Sequence, residues 1–195
     1  MHILLTRPIE DSKELIFRFK SLGHNVSHLP VINIKKIDIK KISYDDYSGI
    51  IFTSSNSVKF LETKNIDKTI YCFCVGSATE TYALKKGFQN VYAAEGNVEN
   101  LKEIIFKYFN KNSGKLLYVS GEVVSSNIHK QLIDSDYQVD RIINYSVEHI
   151  KEFDHKFIQD LKQNIPEIVY VYSQNSANSL LNIIEKYELV DYWMN

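Results

Sequence analysis

The stretch Ile50-Ile51-Phe52-Thr53-Ser54-Ser55-Asn56-Ser57-Val58-Lys59-Phe60 limits the fold more than any other part of the chain. An apolar run breaks into hydroxyls and an amide, and apolar residues then recur at helical spacing. This is the pattern of a buried strand, a tight turn and a helix whose first N–H groups point out of the strand's carboxyl end. Such an end is an anion site, because unpaired N–H groups and the helix dipole both favour negative charge there. The same order recurs at Ile3–Pro8, Cys72–Glu80, Leu116–Glu122 and Val169–Ser176. Strands alternating with helices imply parallel sheets, whose ligands sit outside the strands' carboxyl ends. The chain reads as a binding crevice assembled from similar polar turns.

With 195 residues, 44% of them apolar and 12% aromatic, the chain has ample core for one large globular domain or two small ones. A net charge of −1 gives no global field to draw in nucleic acid or an acidic membrane, so local groups must hold any anionic ligand. No apolar run approaches the roughly 20 residues of a membrane span, and the amino terminus enters a strand without a signal-like segment. A cytoplasmic protein is expected. Cys72 and Cys74 lie two apart on one predicted strand, a spacing suited neither to structural zinc nor to an easy disulfide, and read as core thiols in a reducing compartment. His24 and His28 span a turn without a carboxylate or cysteine cluster, so no metal site is expected. Neither a G-x-G-x-x-G fingerprint nor a P-loop is present, which argues against dinucleotide or NTP chemistry, and no nucleophile elbow appears.

Taken in order, His2–Thr6 predicts a strand, then a helix opened by Asp11 and Glu14 with Leu15, Ile16, Phe19 and Leu22 inward, stopped by Gly23. His24–Leu29 is a strand, and Val31–Ile42 an extended crossing segment whose Lys35, Lys36, Lys40 and Lys41 form a solvated face. A second α/β set fills the middle: strands near 50–53, 70–75, 90–93 and 115–120, with helices opened by Ser57, Ser77 (paired with Glu80), Asn97 and Ser125 or Ser126. Gln138–Glu148 is a second extended crossing. Asp154 then caps a helix, Ile168–Tyr172 is a strand, and Asn175 or Ser176 opens the next helix. The two crossings imply a discontinuous first domain, 1–34 plus 148–195, with a second, 35–147, inserted into it. The first domain is left with about three strands, which implies a missing segment after Asn195.

Leu4-Leu5-Thr6-Arg7-Pro8, Leu22-Gly23-His24 leading to Leu29-Pro30-Val31-Ile32, Phe52-Thr53-Ser54-Ser55-Asn56-Ser57-Val58, Val75-Gly76-Ser77-Ala78-Thr79 and Tyr145, in this order and spacing, resemble uroporphyrinogen-III synthase. The resemblance spans Leu4 to about Ile184. It implies two parallel-sheet α/β domains, flavodoxin-like lobes, joined by a two-stranded β-ladder with the active site in the cleft between them. It also implies the reaction: hydroxymethylbilane loses its hydroxyl and closes with inversion of ring D to uroporphyrinogen III, with no cofactor, in heme biosynthesis. A monomer is implied, as is substrate hand-over from hydroxymethylbilane synthase. By matching position Tyr145 is the proton donor or hydroxyl ligand, and Thr79 and Ser173 match further cleft hydroxyls. Asn56 stands where some members carry arginine. The family usually continues through another strand, turn and helix beyond the point corresponding to Asn195.

The residues expected to grip the carboxylate-rich substrate are Thr53, Ser54, Ser55 and Asn56; Gly76, Ser77 and Thr79; Ser120, Gly121 and Glu122; Ser173, Gln174 and Asn175; and Arg7, which also suits a surface salt bridge. Each neutral contact is worth roughly 1 kcal/mol net and about twice that to a charged acceptor, so several turns must act together. A single such turn is more often only a helix cap, and a single tyrosine among 13 more often packs than reacts. The rival reading from another class is a catalytically impaired homologue that binds a tetrapyrrole or other polyanion without turning it over.

Overall fold

A computed structural model describes residues 1–40 and 42–193; Lys41, placed above on a solvated face, and the last two residues lie outside the described residues. The elements in chain order are β1 (His2–Leu5), α1 (Ile9–Ser21), β2 (Asn25–His28), β3 (Ile32–Lys36), β4 (Tyr47–Phe52), α2 (Ser55–Phe60), β5 (Tyr71–Val75), α3 (Ser77–Lys85), β6 (Asn90–Ala94), α4 (Val98–Tyr108), β7 (Lys115–Gly121), α5 (Ile128–Ile133), β8 (Val139–His149), α6 (His155–Gln163), β9 (Ile168–Tyr170), α7 (Gln174–Lys186) and α8 (Val190–Trp193). They form two compact units, Met1–Ile34 with Val147–Asn195, and Lys35–Ser146.

The larger unit is built on a sheet of strand order β3-β8-β7-β4-β5-β6. β8, β7, β4, β5 and β6 are mutually parallel. Parallel strands buried on both faces read as continuous apolar runs, and here successive residues serve opposite layers. Ile50, Phe52, Cys72, Cys74, Leu117 and Val119 pack with Val58 of α2 and Ala83 of α3. The intervening Ile51, Phe73, Leu116 and Tyr118 pack with Leu101 and Ile105 of α4 and Ile128 and Leu132 of α5. Both cysteines are fully buried, with sulfurs 3.8 Å apart. The neighbouring sulfur, and then burial, push the Cys72 thiol pKa far up, which keeps it inert.

The smaller unit has a parallel sheet of order β2-β1-β9. Its core gathers Leu4, Leu29 and Val31 with Leu161 of α6 and Leu180 and Ile183 of α7.

Several helix starts differ from expectation. α1 begins after Pro8 with no side-chain cap; proline's fixed φ and missing N–H suit a helix start, and Glu10 and Asp11 serve the dipole instead. Leu22, expected inward, is 71% exposed just past the helix end. α2 starts two residues early, because Ser54 rather than a later serine caps it. α3 is capped by Gly76, not by a Ser77–Glu80 pair. α5 is capped by Asn127, not Ser125 or Ser126, and α7 by Ser173, not Asn175 or Ser176. The first crossing is strand only over Ile32–Lys36, and β9 ends at Tyr170. Asn97 and Asp154 cap α4 and α6 as expected. No helix of the described residues is long and apolar enough to cross a membrane.

Candidate functional site

In the larger unit, parallel pairing sets the carboxyl ends of β4, β5 and β7 side by side, with Tyr145 of β8 next to the end of β7, so the residues beyond these three strands share one edge of one sheet. The first turn, after β4, holds Thr53–Asn56. Thr53 Oγ1 lies 3.1 Å from the Tyr118 hydroxyl, and Ser54 Oγ accepts from Asn56 N at 3.3 Å. Ser55 and Asn56 are half-buried at the start of α2. In the second turn, Gly76 has φ +79°, a backbone that side chains rarely adopt, and its N–H extends the β5–β6 ladder to Ala94 O at 2.9 Å. Ser77 and Ala78, the first residues of α3, are exposed and have no carbonyl of their own helix to bond. Thr79 is 4% exposed, its N–H bonded to Gly76 O.

The third turn, after β7, is tied down from β8. Ser120 is fully buried and donates to Gly121 O at 3.0 Å. Arg141 Nε donates to Ser120 Oγ at 2.8 Å, and its Nη2 donates to Gly121 O at 2.8 Å and Glu122 O at 3.1 Å. Glu122 N–H is bonded to Tyr145 O at 2.9 Å, leaving its carboxylate exposed. Of the backbone donors that the sequence offers to a ligand, those of Asn56, Gly76, Thr79 and Glu122 are therefore engaged within the fold. Among the described residues, the N–H groups of Ser55, Ser77 and Ala78 at the starts of α2 and α3 remain open.

Tyr145 sits where the β7–β8 register slips between Ser120 and Gly121, so that Asn144 is an extra residue in β8. The slip turns Asn144 inward, where it is fully buried and its Nδ2 donates to Ser57 O of α2 at 2.7 Å. Its Oδ1, like Ser57 Oγ, is buried without a partner among the described residues. The Tyr145 ring lies against Gly121, where a Cβ would come within 2.5 Å of Cζ, and 6.4 Å from the Phe60 ring. It is 9% exposed, and no hydrogen bond among the described residues engages its hydroxyl. Burial raises the Tyr118 pKa, opposed by its bond to Thr53 and by the Arg141 charge, so the phenol keeps its proton at neutral pH. Phe60 also lines a recess of about 490 Å³ with Lys36, Tyr44 and Glu62.

In the smaller unit, β1 and β9 place Arg7 and Ser173–Asn175 at neighbouring strand ends. Thr6 Oγ1 donates to Tyr170 O at 2.6 Å. The Arg7 guanidinium stacks 4.2 Å from the Tyr172 ring centroid, and its carbonyl accepts from Ser12 Oγ at 3.2 Å and lies 2.7 Å from His28 Nε2. Ser173 Oγ caps α7 at Ser176 N, 3.2 Å. Gln174 and Asn175 are exposed, and Asn175 lines a recess of about 540 Å³ with His149, Asn178, Asn182 and Lys186. Among the described residues no group of His, Cys, Asp and Glu is placed to hold a metal ion.

Three residues of this arrangement went unnoticed in the sequence: Tyr118, Asn144 and Arg141. Tyr118 was legible as the residue two before Ser120, hence on its face of the strand. Arg141 stood out only as one of three arginines, with Arg7 and Arg18, among 23 basic residues. Asn144 had no signal, because a bulge depends on the partner strand.

The family model for uroporphyrinogen-III synthase HemD matches residues 13–194. The chain belongs to the uroporphyrinogen-III synthase family. The uroporphyrinogen-III synthetase of Helicobacter pylori 26695 superposes with a TM-score of 0.62 at 16% identity, covering 93% of this chain and 78% of that one. A mutant uroporphyrinogen III synthase of the extreme thermophile Thermus thermophilus gives 0.53 at 11% identity, covering 95% and 77%. At these identities the likeness is one of fold, and it is the mixed α/β, parallel-sheet fold expected of a uroporphyrinogen-III synthase. A stretch of 105 residues is also 31% identical to the ATP-dependent DNA helicase Rep of Buchnera aphidicola, covering 50% of this chain and 16% of the helicase. The chain thus spans only a small part of that relative, and it has no P-loop to hold ATP phosphates.

Proposed function

We propose that this chain cyclises hydroxymethylbilane to uroporphyrinogen III with inversion of ring D, losing water as a hydro-lyase. The observation that carries the reading is Tyr145, held over Gly121 with its hydroxyl unengaged, at the same sheet edge as the turns after β4, β5 and β7. Substrate carboxylates are gripped by the open N–H groups and hydroxyls of Ser55 and Ser77, and the turns of Arg7 and Ser173–Asn175 in the smaller unit offer the same chemistry. Tyr145 donates its proton to the departing hydroxyl, which leaves as water. The phenolate recovers a proton when the newly joined pyrrole carbon loses its own, so the enzyme ends as it began. Positioning outweighs proton transfer, because the cation formed on water loss cyclises unaided to the wrong isomer. That same reactivity supports direct hand-over from hydroxymethylbilane synthase. Two buried thiols support a cytoplasmic protein, and we take it to be a monomer.

The test is to supply fresh hydroxymethylbilane, oxidise the products and separate porphyrin isomers I and III against an enzyme-free blank. Isomer III well above the blank establishes the synthase. Isomer I alone from folded protein overturns it, and bound uroporphyrin would then mark a tetrapyrrole-binding module.

A further inference from the structure

We propose that Arg141 is a carboxylate-binding residue that supplies the larger unit's fixed positive charge for the substrate. This rests on the synthase reading and names the group that recognises one side-chain carboxylate of the bilane. Three observations carry it. First, Arg141 is the sole arginine between Lys35 and Ser146 in a chain whose basic residues are nearly all lysines, and a guanidinium's five N–H donors on a rigid plane let some be anchored while others stay open to an anion.

Second, its anchorage is neutral and rigid. Nε is held by Ser120 Oγ and Nη2 by the carbonyls of Gly121 and Glu122, and the guanidinium carbon lies 5.9 Å from the Tyr118 ring centroid. The side chain is half-buried, yet among the described residues it has no carboxylate partner and Nη1 bonds nothing. Lys36, Lys102, Lys111 and Lys115 of the same unit all face carboxylates. A half-buried cation set among neutral oxygens keeps its full charge for an incoming anion, and its ordering entropy is already spent.

Third, the place is right. The head group lies at the carboxyl end of β7, against the Ser120–Glu122 turn and four residues before Tyr145 on the neighbouring strand. The adjacent turn after β4, Thr53–Asn56, carries no cationic side chain. Arg141 brings a cation from the other side of β7, and its Nη1 N–H groups are open to a carboxylate oxygen.

The test compares wild type with Arg141→Gln and Arg141→Lys, using the oxidised product as probe. Binding of uroporphyrin III, which carries an acetate and a propionate on every ring, is measured against coproporphyrin III, in which each acetate is a methyl, over a salt series. The Michaelis constant for hydroxymethylbilane is read in parallel. Arg141→Gln is expected to weaken uroporphyrin III binding and raise the Michaelis constant by on the order of 10–100-fold with kcat little changed, and Arg141→Lys to recover part of it. In ¹⁵N-labelled wild type, the Nε–H signal assigned by its absence in Arg141→Lys should shift on adding uroporphyrin III. A folded Arg141→Gln that binds as wild type, or an unmoved Nε–H signal, overturns the proposal and leaves Arg141 as a tie for the end of β7. Failure of the wild type to make isomer III, with Arg141-dependent uroporphyrin binding intact, removes the synthase reading and keeps the carboxylate site.

Discussion

Gly121 has no side chain where one would collide with Tyr145, and this contact decides where the Tyr145 hydroxyl stands. Gly121→Ala should rotate the ring away and lower kcat for isomer III by roughly 10–100-fold, with a smaller effect on uroporphyrin binding; an unchanged kcat would show that the ring's position is immaterial. Tyr145→Phe keeps the ring and removes the proton, so isomer III formation should slow more than product binding weakens. Equal loss of both would make Tyr145 a ligand only. Elsewhere, burial and then the 3.0 Å bond to Asp140 raise the Tyr47 phenol from 10.0 to about 12. The folded state then holds a proton that the unfolded chain has released, so this stabilisation is complete below pH 10 and is lost as pH rises towards 12. Urea midpoints of Tyr47→Phe should accordingly fall less steeply over that range than those of wild type. Tyr44, Tyr118 and Tyr172, also raised by burial, contribute to a residual decline in the variant.

At the scale of the element, two helices of the larger unit start by different physics. Asn97 accepts from Glu99 N at 2.9 Å and Asn100 N at 3.1 Å, so Asn97→Ala should destabilise the protein by about 1 kcal/mol. α3 has no side-chain cap and depends on a backbone at φ +79°, ψ 150° that is open to glycine. Gly76→Ala should cost about 1–3 kcal/mol and disturb the N–H groups of Ser77 and Ala78 as well. Urea unfolding of both variants checks the order, and a Gly76→Ala loss smaller than that of Asn97→Ala would contradict it. Side-chain caps were legible where a single polar residue precedes an apolar stripe, as at Asn97 and Asp154. They were misread where several serines or asparagines compete, as at Ser125, Ser126 and Asn127, because propensity does not choose among near-equal caps.

At the scale of the whole molecule the two units differ in what they bury. The larger sheet carries packed layers on both faces, with Phe52, Phe73, Leu117 and Tyr118 almost wholly excluded from water. β9 of the smaller sheet is three residues long, ends its sheet and leaves Tyr170 37% exposed. Amide exchange should therefore be slowest in β4, β5 and β7 and much faster in β9. Leu117→Ala, which empties space between β7 and the α2–α3 layer, should cost about 2–5 kcal/mol by urea unfolding.

The succession of strands and helices, the parallel pairing and the polar turns at strand ends were all readable from local period and composition. The family resemblance rested on those same turns. Which turn atoms are already used follows instead from contacts between distant parts of the folded chain. The N–H of Gly76 belongs to Ala94, that of Glu122 to Tyr145, and the hydroxyl of Ser120 to Gly121 and Arg141. The slip that turns Asn144 inward and the ring that forbids a side chain at Gly121 are likewise products of two strands meeting. Hydrogen bonds between residues far apart in sequence depend on register, and register is a property of the partner strand that no single strand's residues encode.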